Sequence, residues 1–243
     1  MHRATEVQAL TFDLFSTVLD LGGSLTPFIA RFLQRTGASA SPQQFWDQWR
    51  ARQRLEQYQD TILMLGHSGY LETSRRALVY TLALNRITVP GKEVMEFMQA
   101  WQELTPFPDV VPSLERLKTR YRLVALSNGE AEYLDHMVRD RIRWNFDEVI
   151  SAQLVGAFKP HPGVYRRAAT VLGLDVGQCL MVSAHSFDVM GARACGYRGA
   201  YVNRYRLPYE DTPYRPDVTV NDFAELADEL LQDATDTTQK DSS

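Results

Sequence analysis

The chain has 243 residues, 44% hydrophobic and 23% charged, enough for a sizeable core in one domain or in a main domain with an insert. Its net charge of -4, from 26 basic and 30 acidic residues, argues against nucleic acid or an anionic membrane as the main partner. No apolar run nears the ~20 residues that span a bilayer. The start Met1–Glu6 lacks a signal peptide's apolar stretch, and Cys179 and Cys195 form neither a CxxC nor a disulfide framework, so a cytoplasmic setting is expected.

The first β-like run, Val7–Phe12, ends directly in Asp13. From about Gly23 to Glu103 the pattern is that of several amphipathic helices, punctuated by Gly37-Ala38-Ser39 and Gly66-His67-Ser68-Gly69. Helical periodicity over Val110–Arg120 then leads to a strand, Arg122–Leu126. The alternation continues with helix Ala131–Arg139, strand Glu148–Ser151, helix His161–Leu172, strand Cys179–Ser183 and helix Phe187–Cys195. Strands Gly199–Val202 and Asp217–Val220 close the series. Strands alternating with helices predict an α/β fold with a Rossmann-like parallel sheet core, covered on both faces. The long gap after the first strand predicts an inserted all-helical cap domain over the sheet's carboxyl edge. The expected division is 1–18 and 106–232 for the core, 19–105 for the cap, and a polar, disordered tail over 233–243.

Four strand ends carry polar residues. The first gives Asp13, Ser16 and Thr17, and the second gives Ser127-Asn128-Gly129. A loop after the third holds Lys159-Pro160-His161-Pro162, and the fourth runs into Ser183-Ala184-His185-Ser186-Phe187-Asp188. Singly, Asp13, Ser127 and Asn128 read as caps, Lys159 as a solvated charge and His185 as a turn residue. In a parallel sheet all four ends lie on one edge and converge on one pocket, where an ionised carboxylate needs a partner and has a chemical task. The five histidines form no metal-binding pattern, and neither GxxxxGK nor GxGxxG occurs. No metal and no cofactor is expected.

The order Asp, Ser/Thr, Lys, Asp at successive strand ends resembles the haloacid dehalogenase superfamily, and within it the L-2-haloacid dehalogenases. Asp13-Leu14-Phe15-Ser16-Thr17 matches the first motif, Ser127-Asn128-Gly129 the second and Lys159-Pro160-His161-Pro162-Gly163-Val164-Tyr165 the third. Trp49-Arg50-Ala51-Arg52-Gln53 is similar to a motif of the family's helical insert. The resemblance, over residues 7–205, implies a haloacid dehalogenase fold and hydrolysis of short L-2-haloalkanoic acids to D-2-hydroxy acids and halide. Asp13 would displace the halide and form an ester, which water then opens. Lys159 would keep Asp13 ionised. Thr17 and Ser127 would bind the substrate carboxylate or the second oxygen of Asp13, and Asn128 and Arg50 the leaving halide. Tyr165 matches a tyrosine the family uses near the nucleophile. Ser183, Phe187 and Asp188 complete the expected site.

Phosphatases of this superfamily need a general acid two residues after the nucleophile, where this chain has Phe15. They also hold Mg²⁺ with a pair of acids in the fourth motif, the first of which falls at Ala184. A carbon–halogen bond needs neither. The rival readings are another metal-free hydrolase of this branch, a phosphatase using unusual residues, and an idle scaffold. His185 stands where many relatives have Asn, and two readings are open. It is a base that with Asp188 activates the hydrolytic water, or it is a larger pocket wall. Phe45, Leu55 and Tyr58 are candidates for setting pocket volume. Family members often form dimers through the insert, which here would use Leu63-Met64-Leu65.

Overall fold

The computed structural model describes residues 6–240, with side chains through residue 232. The chain opens with β1 (Ala9–Phe12) and a two-residue β2 (Leu19–Asp20), then α1 (Leu21–Thr36), α2 (Pro42–Ile62), α3 (Tyr70–Leu84) and α4 (Gly91–Met98). It returns through β3 (Thr105–Pro106), which pairs antiparallel with β2. There follow α5 (Val110–Leu117), β4 (Arg122–Ser127), α6 (Ala131–His136), β5 (Glu148–Ser151), α7 (Pro162–Leu172) and β6 (Cys179–Ser183). α8 (Ser186–Ala194), β7 (Arg198–Val202), β8 (Val218–Val220) and α9 (Phe223–Lys240) complete the series.

Six strands form one sheet in the order β5-β4-β1-β6-β7-β8, every neighbouring pair parallel. Strands covered on both faces read as continuous apolar runs rather than alternating ones, and β1 is buried at all four positions. Leu10, Phe12, Leu123, Ala125, Leu180 and Val182 pack with α5 and α9 on one face. Ala9, Val124, Leu126 and Met181 pack with α7 on the other. The chain winds outwards from β1 through β4 to β5, then resumes on the other side of β1 with β6. The crevice between the carboxyl ends of β1 and β6 is therefore the point where winding reverses, the usual place for a ligand in such sheets.

The expected strands occur within a few residues of their predicted limits. The β2–β3 pair was not expected, since two residues per strand leave no alternation in the sequence. It ties the two ends of the helical segment together, and α2 and α3 from that segment lie over the crevice. The backbone of α9 runs on through Lys240, into the segment whose polar composition predicts disorder. Phe223, Leu226, Ala227 and Leu230 anchor the first turns of α9 in the core, and extending a helix is far easier than nucleating one. Residues 241–243 of the expected tail lie outside the described residues. No helix among the described residues is long and apolar enough to cross a membrane.

The turn after β1 aims the nucleophile candidate. The Asp13 amide donates to the Val182 carbonyl at 3.0 Å, extending the β1–β6 pairing by one residue. The chain then doubles back, with the Ser16 amide on the Leu19 carbonyl at 2.9 Å and Ser16 at φ 68°. That left-handed conformation costs an L-residue roughly 1–2 kcal/mol, which glycine avoids in exchange for a smaller entropic loss. Ser16→Gly should therefore raise stability by about 0.5–1 kcal/mol in urea unfolding, and a loss of stability would contradict this reading of the turn.

Candidate active site

Three buried charges form the centre. Lys159 Nζ lies 2.9 Å from Asp13 Oδ1, 2.7 Å from Asp188 Oδ2 and 2.9 Å from the Leu126 carbonyl, so each ammonium proton has an acceptor. All three side chains are nearly inaccessible. The loop that delivers Lys159 is fixed by its amide, which donates to Asn128 Oδ1 at 2.8 Å. The second Asp13 oxygen accepts from the Thr17 hydroxyl at 2.7 Å, and Thr17 in turn accepts from the Ala184 amide. Tyr165 donates to Asp188 Oδ1 at 2.7 Å.

Burial alone would lift the Asp13 carboxyl, but the Lys159 ammonium and the hydrogen bonds from Lys159 and Thr17 hold it below the usual carboxylate range. Asp188 goes the other way. Burial, reinforced by the neighbouring Asp13 charge, pushes it up despite Lys159. Burial opposes the charge on Lys159 too, and the two carboxylates more than offset it, raising the ammonium above its ordinary value. One carboxylate is thus poised as an anion and the other as a proton acceptor.

His185, at the N-terminus of α8, faces the second layer of the site. Its Nε2 lies 3.0 Å from the Phe15 carbonyl, which can only accept, and its Nδ1 lies 3.1 Å from Arg54 Nη2, which can only donate. These partners fix the neutral Nε2–H tautomer, with the lone pair turned to Arg54 rather than to Asp13. Arg50 Nη2 approaches the same ring at 3.5 Å, and Asp13 Oδ2 is 3.9 Å away. Ser183 Oγ accepts from the His185 amide and holds the turn.

Asp13, Phe15, Arg50, Arg54, Gln57, Tyr70, Asn128, Lys159, His185, Phe187 and Asp188 enclose a cavity of about 20 Å³, room for roughly one water. The structure thus brings Asp13, Phe15, Arg50, Asn128, Lys159, His185, Phe187 and Asp188 to one wall-to-wall site. Thr17, Ser183 and Tyr165 stand behind it, bonded to its members. Ser127 is buried at the end of β4 with a hydroxyl that has no partner among the described residues, and it does not line the cavity. Two pocket candidates fall elsewhere. Phe45 packs in the helical core against Phe32 and Trp49, and Leu55 points to solvent. Tyr58 does not line the cavity and meets the Phe187 ring edge-on at 6.0 Å.

Arg54, Gln57 and Tyr70 were missed. With Arg50, Gln53 and Gln57, Arg54 forms a polar stripe at helical spacing along α2, and such a stripe reads as a solvated face until the helix is seen lying over the crevice. Gln57 Oε1 accepts from Asn128 Nδ2 at 3.2 Å, Tyr70 stacks on Phe15 at 3.9 Å, and Arg50 Nη1 donates to Gln53 and Tyr70. The side chains of Phe15 and Ala184 carry no oxygen where phosphatases have carboxylates, and the Lys159 ammonium bridges Asp13 and Asp188.

The parallel sheet and this carboxylate–lysine centre define a hydrolase of α/β class with its site at the carboxyl edge of the sheet. The chain belongs to the haloacid dehalogenase-like hydrolase family, whose model matches residues 7–196. It is 29% identical to haloacetate dehalogenase H-2 of Moraxella sp. (strain B), over 88% of this chain and 94% of that protein. It is 30% identical to (S)-2-haloacid dehalogenase 4A of Burkholderia cepacia, over 94% of this chain and 97% of that protein. The L-2-haloacid dehalogenase of Xanthobacter autotrophicus, solved with chloropropionic acid covalently bound, superposes with a TM-score of 0.80. That match has 25% identity and covers 92% of this chain and 98% of the other.

Burial, with Arg54 and Arg50 adding like charge and Asp13 opposing them, pushes the His185 imidazole down to about 3. Ring-nitrogen NMR of His185 should then show the neutral Nε2–H tautomer at every pH from about 5 to 8. A ring that titrates near its ordinary value would contradict the geometry. Because the folded value lies below the unfolded one, this group weakens the fold as pH falls below the ordinary histidine range.

Proposed function

We propose that this protein is a metal-independent dehalogenase of short L-2-haloalkanoic acids, acting through an ester on Asp13. The observation that carries the reading is the buried Asp13–Lys159–Asp188 centre beside Phe15 and Ala184, where a phosphatase needs an acid and a metal ligand. The named dehalogenases among its relatives, and the covalently bound chloropropionic acid of one of them, support it.

One Asp13 oxygen attacks the carbon bearing the halogen from the side opposite the leaving group. The carbon–oxygen bond forms as the halide leaves with the bonding electrons, and the centre inverts, so an L-2-haloacid gives a D-2-hydroxy acid. Arg50 and Asn128 stabilise the departing anion. Esterification removes the Asp13 charge and leaves Lys159 paired with Asp188. Water then attacks the Asp13 carbonyl carbon, and Asp188 takes its proton. Collapse of the tetrahedral intermediate breaks the bond from the Asp13 carbonyl carbon to the substrate oxygen, which takes back the proton held by Asp188 and leaves as the hydroxy acid. The Asp13 carboxyl then loses its remaining proton to solvent, so both carboxylates are restored. Thr17 holds the Asp13 oxygens in place, Tyr165 fixes Asp188, and Ser183 fixes the turn that carries His185. The unpartnered Ser127 hydroxyl is free to turn to the substrate or to the ester. The helices of 19–105 act as a cap that excludes water during displacement. The exposed Leu63-Met64-Leu65 turn joins two such caps in a homodimer.

Chloride should be released from L-2-chloropropionate in the presence of EDTA, and Asp13→Asn should abolish it. Absence of halide from a panel of short 2-haloacids, fluoroacetate included, would overturn the proposal. Asp188→Asn should release close to one chloride per active site in a burst and then stall as the ester accumulates. Steady turnover by that variant would remove Asp188 as the base.

A further inference from the structure

The centre holds more positive charge than its reaction partners account for. Asp13, Asp188 and Lys159 satisfy one another, yet two further guanidinium groups, Arg50 and Arg54, reach the same cavity from successive turns of α2. Neither makes an ion pair among the described residues, and the Nε of each is buried without a partner. Two like charges drawn together this way are unfavourable unless an anion enters between them and Asp13. The two arginines are also unequally committed. Arg50 spends Nη1 on Gln53 and Tyr70, whereas the described hydrogen bonds of Arg54 reduce to one, from Nη2 to the lone pair of His185. The Arg54 guanidinium lies over the Phe187 ring at 5.4 Å, and that ring stacks on His185 at 5.3 Å. Arg54 is thus held by a neutral acceptor and an aromatic face, with its charge unspent.

We propose that Arg54, positioned by His185, is a second anion-binding residue that grips the carboxylate of the substrate and favours two-carbon haloacids over longer ones. The inference rests on the dehalogenase reading and narrows it. A planar guanidinium with free donors matches a carboxylate fork, and it leaves Arg50 to the halide at the other end of the substrate. His185, with its lone pair engaged, is a positioning residue and not the base. A size preference follows from the same contacts: Arg54, His185 and Phe187 line one side of the cavity, so every carbon added to the substrate has to be accommodated beside a buried cation.

The test compares wild-type enzyme with Arg54→Leu and Arg54→Lys on chloroacetate and L-2-chloropropionate, with propionate as an unreactive carboxylate probe. Wild type should prefer chloroacetate. Arg54→Leu should raise the KM for chloroacetate at least tenfold, about the loss of one charge-assisted pair, with kcat changed less than threefold. Its preference should move towards chloropropionate, and propionate should inhibit it correspondingly less. Arg54→Lys should recover part of the loss. His185→Leu should raise KM in the same way without slowing hydrolysis of the ester, while His185→Gln, which keeps an acceptor, should do so less. An unchanged KM and propionate affinity in Arg54→Leu would overturn the proposal. So would a fall in kcat that is steeper for fluoroacetate than for bromoacetate, which would place Arg54 at the halide. If wild type releases no halide at all, the dehalogenase reading fails. Calorimetric titration of propionate into wild type and Arg54→Leu then still decides whether Arg54 binds a carboxylate.

Discussion

The whole site depends on one buried ammonium held between two carboxylates. An isolated lysine charge at that depth would be strongly unfavourable, and so would either aspartate alone. Together they are tolerated because Lys159 has three protons and three acceptors, two of them charged. The arrangement also divides labour between groups of the same kind. Lys159 and the Thr17 hydroxyl hold the Asp13 carboxyl below the usual carboxylate range, whereas burial and the neighbouring Asp13 charge push that of Asp188 up. Much of the surrounding architecture keeps this geometry. The β1–β6 pairing extends to Asp13, Asn128 pins the backbone of Lys159, and Tyr165 reaches from α7 to orient Asp188.

The helical layer completes what the sheet edge begins. Its contribution comes mainly from α2, a helix whose first half buries Phe45, Trp46 and Trp49 among aromatic rings, and whose second half buries polar residues. Gln53, Glu56, Gln57 and Asp60 are all largely inaccessible, so that half works as a polar lining rather than as a core. Tyr70 from α3 stacks on Phe15 and joins the two layers through an aromatic face. The result is a cavity whose floor is negative and paired and whose roof is positive, with neither arginine in an ion pair among the described residues. A field of that sign attracts a small anion.

The parallel sheet was legible because strands buried on both faces are short apolar runs, and the motif residues were legible because each interrupts such a run at its end. Asp13, Lys159 and Asp188 stand out for that reason. The helical layer was harder. The long gap after the first strand predicts an insert over 19–105, but the orientation of each helix within it could not be read. Phe45 and Leu55 were therefore put in the pocket and Arg54 and Gln57 left out, since a polar stripe on a helix carries no sign of what it faces. The two readings of His185 were open for a related reason. Its role depends on which donor meets Nδ1, and that donor comes from a helix 131 residues away in sequence.

The central claim is that Asp13 forms a covalent bond to substrate. A single turnover of excess enzyme in ¹⁸O-labelled water, followed by mass spectrometry of the peptide containing Asp13, tests it most directly. Attack of water on the ester carbonyl predicts that the label enters the Asp13 carboxylate and that the first hydroxy acid released is unlabelled. Label found in the product of that first turnover, with none in Asp13, would mean that water attacks the substrate directly and would contradict the account.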